Sequence, residues 1–136
     1  MKRKCYKCQD EKEIGEFKKK KKSNGEDGYG YICKICHNKE RKQIKRDRSN
    51  EKFAYALNYK LTHACIVCGE ADPVVLDFHH RDPNEKNDCI SAMLNIKSCA
   101  TLDDLKKEID KCDLLCANDH RRAHVGKRMG DYLSSK

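Results

Sequence analysis

The pairs Cys5-Tyr-Lys-Cys8 and Cys33-Lys-Ile-Cys36 constrain this chain more than any other feature. Twenty-four residues separate them, close to the spacing of four thiolates that close around one zinc ion. The segment they frame offers little apolar material beyond Ile14, Phe17, Tyr29, Tyr31 and Ile32, too little to bury a stable core. Metal is therefore expected to stabilise residues 1–37. The expected shape is a zinc ribbon or treble-clef-like knuckle, with a short strand near Ile14 to Phe17, a polar tip, and a return strand through Tyr29 to Ile32.

Ten cysteines could instead form disulfides, but paired Cys-x-x-Cys spacing favours metal. No apolar secretion signal follows the basic Met1-Lys-Arg-Lys start, and no apolar run is long enough to span a membrane. The expectation is a cytoplasmic, reduced protein without membrane contact, with Cys89 and Cys99 as ordinary small apolar residues.

The second informative feature is a set of four histidines: the adjacent pair His79-His80 and the pair His120 and His124. On a helix, His120 and His124 lie one turn apart on one face, so both imidazoles can converge on one cation. A strand through Phe78-His79-His80 sends successive side chains to opposite sides, so one of the adjacent pair can join them. The other is free for proton transfer, since imidazole titrates near neutral pH. A cation beside such a base suits phosphodiester hydrolysis. His37 and His63 stand outside this pattern.

Cys65-Ile-Val-Cys68-Gly69, Leu76-Asp-Phe-His79-His80-Arg-Asp-Pro83 and Lys111-Cys-Asp-Leu-Leu-Cys116-Ala-Asn-Asp-His120-Arg-Arg-Ala-His124 together resemble the HNH endonucleases of the ββα-metal fold, in the version common in bacteriophages. The likeness covers roughly Leu61 to Val125. It implies metal-dependent cleavage of double-stranded DNA, with His80 as general base and His79, His120 and His124 holding Mg²⁺, Mn²⁺, Ni²⁺ or Zn²⁺. It also implies a homing or packaging-associated role in a host cytoplasm, with phage packaging proteins as further partners. The chain departs from the family in two places. The late Cys-x-x-Cys pair ends in Asp119, so that Cys65, Cys68 and Cys116 supply three thiolates to a second structural zinc, and Asp119 or Cys112 completes it. Lys111 and Cys112 occupy the neighbourhood of the family's middle asparagine, and Asn118 reads as a helix N-cap without a catalytic role. Asp77 either orients a ligand histidine or faces solvent on a strand Val74 to Phe78.

Charge points to the partner. Thirty basic against twenty-two acidic residues give a formal +8, concentrated towards the first half. Lys18, Lys19, Lys20, Lys21 and Lys22 precede a loop tip at Ser23 to Gly28, and suit contact with phosphates without sequence information. Residues 38–60 lack Pro and Gly and read as a helical linker. Its Arg41, Lys45 and Arg48 share one face, expected to contact DNA, while Phe53, Leu57 and Leu61 are expected to pack on the nuclease core. Arg121 or Arg122 would clamp a neighbouring phosphate.

Asp82 to Asn87 is turn chemistry. Thr101-Leu-Asp-Asp104 opens a helix with Leu102, Leu105, Ile109 and Cys112 on one apolar face. No internal repeat is evident beyond the recurring Cys-x-x-Cys. The expected whole is a small, zinc-stabilised α+β protein: a four-cysteine zinc-ribbon-like module (1–37), a basic helical linker (38–60), an HNH nuclease domain (61–126) and a frayed tail (127–136). The alternative function is a catalytically degenerate DNA-binding or packaging-accessory protein.

Overall fold

A computed structural model describes the backbone of residues 1–134 and the side chains of residues 1–125. The protein is α+β and divides into two compact units, Met1–Asp47 and Arg48–Lys136. Among the described residues no helix is long and apolar enough to cross a membrane.

The first unit begins with a hairpin of β1 (Lys2–Lys4) and β2 (Glu11–Glu13), whose register sets Lys2 against Glu13 and Lys4 against Glu11. Opposite charges across the ladder favour that register. Cys5 and Cys8 occupy the tip between the two strands. A 3-10 turn comes next at Ile14–Glu16, where the sequence predicts the start of a strand. Then β3 (Phe17–Lys21) pairs antiparallel with β4 (Asp27–Cys33), setting Phe17 opposite Cys33. Phe17, Cys5 and Cys33 are fully buried and form the whole centre of this unit. A side chain like Phe17 contributes about 2–3 kcal/mol on burial, well short of what forty-odd ordered residues cost in entropy. Tyr29 and Tyr31, expected in this core, lie on the exposed side of β4, Tyr31 being 72% accessible.

Helix α1 (Lys34–Thr62) starts directly after Cys33, four residues before the predicted linker. Its C-terminal part belongs to the second unit. There the buried residues are Lys52 and Ala56, with Tyr55 and Tyr59 packed beside them. The Lys52 ammonium donates to the carbonyls of Met93 and Ala100. Phe53, Leu57 and Leu61 are exposed, so the expected packing stripe is displaced by about one residue around the helix. A buried ammonium capped by two carbonyls occupies the place predicted for Phe53.

The rest of the second unit comprises β5 (Leu76–His80), the short α2 (Ile90–Met93), α3 (Leu102–Ile109), β6 (Cys112–Cys116) and α4 (Ala117–Ser134). β5 starts two residues later than predicted and reaches His80. It pairs antiparallel with β6, matching Leu76 to Cys116 and His80 to Cys112. Thr101 caps α3 in a capping box with Asp104, as its sequence signals. Ala56, Ile90, Met93, Leu105 and Ile109 form one core, and Leu76, Leu114 and Leu115 form a second around the sheet. Phe78 touches both. The backbone of residues 127–134 continues α4 where the sequence predicts a frayed tail. Ser135 and Lys136 lie outside the described residues.

The two units repeat one device that the sequence shows only as recurring cysteine pairs. In the first, Cys5 N–H donates to Asp10, Gln9 N–H to Cys5 and Tyr6 N–H to Tyr31, at 2.9, 2.9 and 3.0 Å. In the second, Cys65 N–H donates to Glu70, Gly69 N–H to Cys65 and Ile66 N–H to Leu114, at 2.8, 2.9 and 3.1 Å. The residue after each pair is left-handed, Gln9 at φ 63° and Gly69 at φ 80°. In both, the third cysteine ends a strand opposite a fully buried side chain, Phe17 or Leu76, and a helix begins at the next residue.

Candidate metal centres and histidine site

Among the described residues, three groups of side chains bring potential ligand atoms within 4.8 Å of one another: Cys5, Cys8, Cys33 and Cys36; Cys65, Cys68, Cys116 and Asp119; and His79, His120 and His124. All ten cysteines are free thiols.

In the first group the Cys33 amide donates to Cys5 Sγ at 3.3 Å, and this amide pulls the Cys5 thiol down to about 6. An amide aimed at sulfur is the arrangement that favours thiolate, the form that binds metal. Four soft sulfurs with a half-buried setting suit a closed, structural zinc site.

In the second group Asp119 takes the place of a fourth cysteine. Its Oδ2 accepts from the thiols of Cys65 at 3.3 Å and Cys116 at 3.2 Å. Its Oδ1 accepts from the Arg122 guanidinium at 2.7 Å. The Cys68 thiol and then Arg122 hold this carboxyl well below the usual carboxylate range, so it stays ionised and available as an oxygen ligand. Cys112, the competing candidate, stands outside this group. It lies four residues back along β6, buried in the apolar core, with its thiol donating to the Glu108 carbonyl at 3.3 Å. Asn118 is also reassigned, since α4 begins at Ala117 and the sulfur of Cys116 accepts from the Asp119 amide at 3.4 Å, the bond a capping side chain makes. Cys89 and Cys99 are exposed rather than packed.

The third group is assembled by β5 and α4. His120 Nε2 and His124 Nε2 stand 3.1 Å apart, so the helical spacing turns both nitrogens to one point, and His79 stacks edge-on against both rings. Asp77 Oδ2 lies 3.1 Å from His120 Nδ1, a carboxylate behind the imidazole that fixes which nitrogen faces the cluster. Burial first, then the nearby His120 and His124, lower the His79 pKa, which favours its neutral form. Three imidazole nitrogens with one exposed member fit a cation that keeps open coordination positions.

His80 points elsewhere. Its Nε2 lies 2.8 Å from Glu108 Oε1, and Nδ1 has no hydrogen-bond partner among the described residues. Glu108 is 2% accessible and also accepts from Lys111 Nζ at 3.0 Å and from the amides of Asn87 and Asp88 at 2.9 and 3.3 Å. Burial raises the pKa of this carboxyl, but Lys111 and then His80 outweigh it and bring it to about 2. Sequence reasoning misses Glu108, although a signal exists. Leu105, Glu108 and Ile109 share one helical stripe, Cys112 having passed from the expected helix face into β6, and a carboxylate in an apolar stripe needs partners.

A cavity of about 710 Å³ is lined by His79, His80, His120 and His124 together with Phe53 and Leu57. His63 stacks on Tyr59 with ring centroids 4.0 Å apart, and His37 sits on α1; neither belongs to the histidine group.

The basic candidates distribute unevenly. Lys18, Lys19, Lys20 and Lys21 line β3 and are exposed, and Lys22 pairs with Glu26 at 3.2 Å. Arg41, Lys45 and Arg48 are exposed on α1, and Arg121 is exposed on α4. Arg122 is committed to Asp119. Residues 1–47 hold sixteen Lys and Arg against eight Asp and Glu, whereas residues 48–136 hold fourteen of each. The entire formal excess of +8 therefore belongs to the first unit, and the second is neutral.

Comparison of the chain with protein-family models, curated proteins and solved structures finds no match.

Proposed function

We propose that the chain is a metal-dependent endonuclease of the HNH, ββα-metal kind, hydrolysing phosphodiester bonds in DNA. The observation that carries this reading is the convergence of His79, His120 and His124 beside a separate, carboxylate-held His80. The order β5, β6, α4 around them agrees with the ββα arrangement that the sequence resemblance implies. The four-cysteine group then forms a treble-clef-like module, and the group of three cysteines and Asp119 braces the nuclease.

In this reading His120, held through Nδ1 by Asp77, His124 and His79 present nitrogens to a divalent cation such as Mg²⁺, Mn²⁺, Ni²⁺ or Zn²⁺. When bound, that ion supplies positive charge against the charge that develops on the phosphate. His80 Nδ1 accepts the proton of a water whose oxygen attacks phosphorus, and one ester oxygen departs. Glu108 keeps the ring from turning and fixes the tautomer that leaves Nδ1 available. The basic first unit supplies affinity for the polyanion.

The test is incubation of supercoiled plasmid with the purified protein and Mg²⁺, Mn²⁺ or Ni²⁺, where a single nick shows as relaxed circles. His80→Ala is expected to lower the nicking rate by about 10²-fold or more while DNA binding persists. Nicking by His80→Ala at the parent rate would take the base role from His80. Failure to nick with all three ions would leave the binding-only reading, a DNA-docking protein with a silent histidine site.

A further inference from the structure

We propose that the first unit carries a stacking surface for unpaired nucleotides of a nucleic-acid strand, built from Tyr6 and Tyr31. This binding site is separate from the histidine centre, and it holds whether or not that centre cuts.

The starting point is a misfit between residue type and environment. The first unit is short of buried apolar side chains, yet it leaves Tyr6 78% and Tyr31 72% accessible. An aromatic ring stabilises such a small module when buried, and this one exposes two of them side by side. The Tyr6 amide donates to the Tyr31 carbonyl at 3.0 Å, which brings the cysteine turn against β4 and makes the two residues neighbours. Strand alternation puts Tyr29 on the same face of β4 as Tyr31. The register sets Lys19 directly opposite Tyr29, and Lys21 comes two residues on, so lysines border the rings on one sheet face. The Arg3 guanidinium lies 4.5 Å from the Tyr31 ring centroid and donates to the Gly30 carbonyl at 3.4 Å, which holds a cation against one side of that ring. Arg3, Lys4, Tyr6, Gln9 and Tyr31 together line a shallow cavity of about 320 Å³.

Exposed rings bordered by cations match one ligand chemistry well. Flat, apolar nucleobases stack on tyrosine, and the phosphates that join them reach lysine and arginine. In a duplex the base faces are already stacked on each other and only phosphates, sugars and base edges are offered, so the rings find no open face to stack on. The +8 excess of this unit serves both kinds of strand, and the tyrosines discriminate between them.

The experiment uses the full metal-loaded chain, without added divalent cations, and fluorescein-labelled oligonucleotides. A single strand of about twenty nucleotides and mixed sequence, long enough to exceed one site, is compared in DNA and RNA forms with a blunt DNA duplex of equal length by fluorescence anisotropy. Replacing both tyrosines with alanine, Tyr6→Ala and Tyr31→Ala, is expected to weaken single-strand binding roughly tenfold or more and to change duplex binding less than about twofold. Replacing both with phenylalanine is expected to restore single-strand binding, because the ring and not the hydroxyl does the stacking. Zinc content and circular dichroism equal to the parent's show that the variants are folded, as expected when exposed rings are removed. An equal loss on single strand and duplex would overturn the proposal, as would no loss on either, or a phenylalanine variant as weak as the alanine one.

Discussion

The two units are built on the same turn, strand and helix, and they differ in the residues placed after the third cysteine. Counting four and eight residues on from Cys33 gives His37 and Arg41; the same steps from Cys116 give His120 and His124. Because α1 begins immediately after Cys33 and α4 immediately after Cys116, these pairs occupy equal helical phases. The first unit has a cation where the second has its outer histidine. It carries all of the net charge and little core, whereas the second is neutral, with two apolar clusters. The same local scaffold thus supports a basic surface in one place and a convergent histidine group in the other, and local backbone geometry alone does not decide which.

Removing metal should separate the units most sharply. With Phe17, Cys5 and Cys33 as its whole centre, the first unit should lose its fold under a strong chelator. The second should retain the core around Leu105 and Ile109. Amide NMR spectra before and after chelation should then show collapse of signals from residues 1–47 and persistence of those from α3. Simultaneous collapse of both sets would mean that the second unit depends on metal just as heavily.

For the proposed nuclease, next in size is the effect on cleavage of breaking one cluster at a time. Cys116→Ala removes a sulfur that also caps α4, the helix carrying His120 and His124, and should cut the nicking rate by about 10²-fold, as a misplacement near the chemistry does. Cys33→Ser should weaken DNA affinity and leave the rate at saturating DNA within about threefold. Equal rate losses would show that the first cluster supports the site too.

A third prediction concerns acid. The Glu108 carboxyl sits at about 2 in the fold against an ordinary 4.5, so its contribution is fully present above about pH 4.5 and is lost as pH falls towards 2. Glu108→Gln should cost on the order of 2–3 kcal/mol at pH 7 and leave the second unit less sensitive to pH between 4.5 and 2. Urea denaturation across that range checks both the size and the sign. The first unit has no counterpart of Glu108 among its described residues, and its transition should not change.

The smallest expected effect tests the shared turn. Gln9 adopts a left-handed conformation that is strained for it and free for Gly69, partly offset by the bond from Gln9 Nε2 to the Tyr6 carbonyl at 2.6 Å. Gln9→Gly should raise, and Gly69→Gln lower, the stability of their respective units by about 1 kcal/mol, read as shifts in thermal midpoint.

The legible parts of this molecule are those written in short spacings. Cysteine pairs, the His120/His124 step and the Thr101 capping box each lie within one turn of chain, where geometry comes directly from sequence separation. Polar residues inside buried faces escape that reading. Lys52 and Glu108 each occupy a core-facing position on a helix, and each is tolerated because partners distant in sequence satisfy it, backbone carbonyls for Lys52 and His80 with the amides of Asn87 and Asp88 for Glu108, which Lys111 also pairs. Hydrophobic periodicity therefore places Phe53 inward where Lys52 is found, and places Tyr29 and Tyr31 in a core they do not enter.

The Cys116 cap on α4 has one more consequence, for how the gene can vary in length. Cys116, Asp119, His120 and His124 are read from a single helix whose starting angle the sulfur fixes. One residue inserted or deleted between positions 116 and 120 would turn everything after it by about 100°, carrying both imidazoles away from His79 together. Substitutions along this stretch can be absorbed one at a time, but its length cannot change, since even a whole added turn would carry both imidazoles about 5.4 Å along the axis from His79.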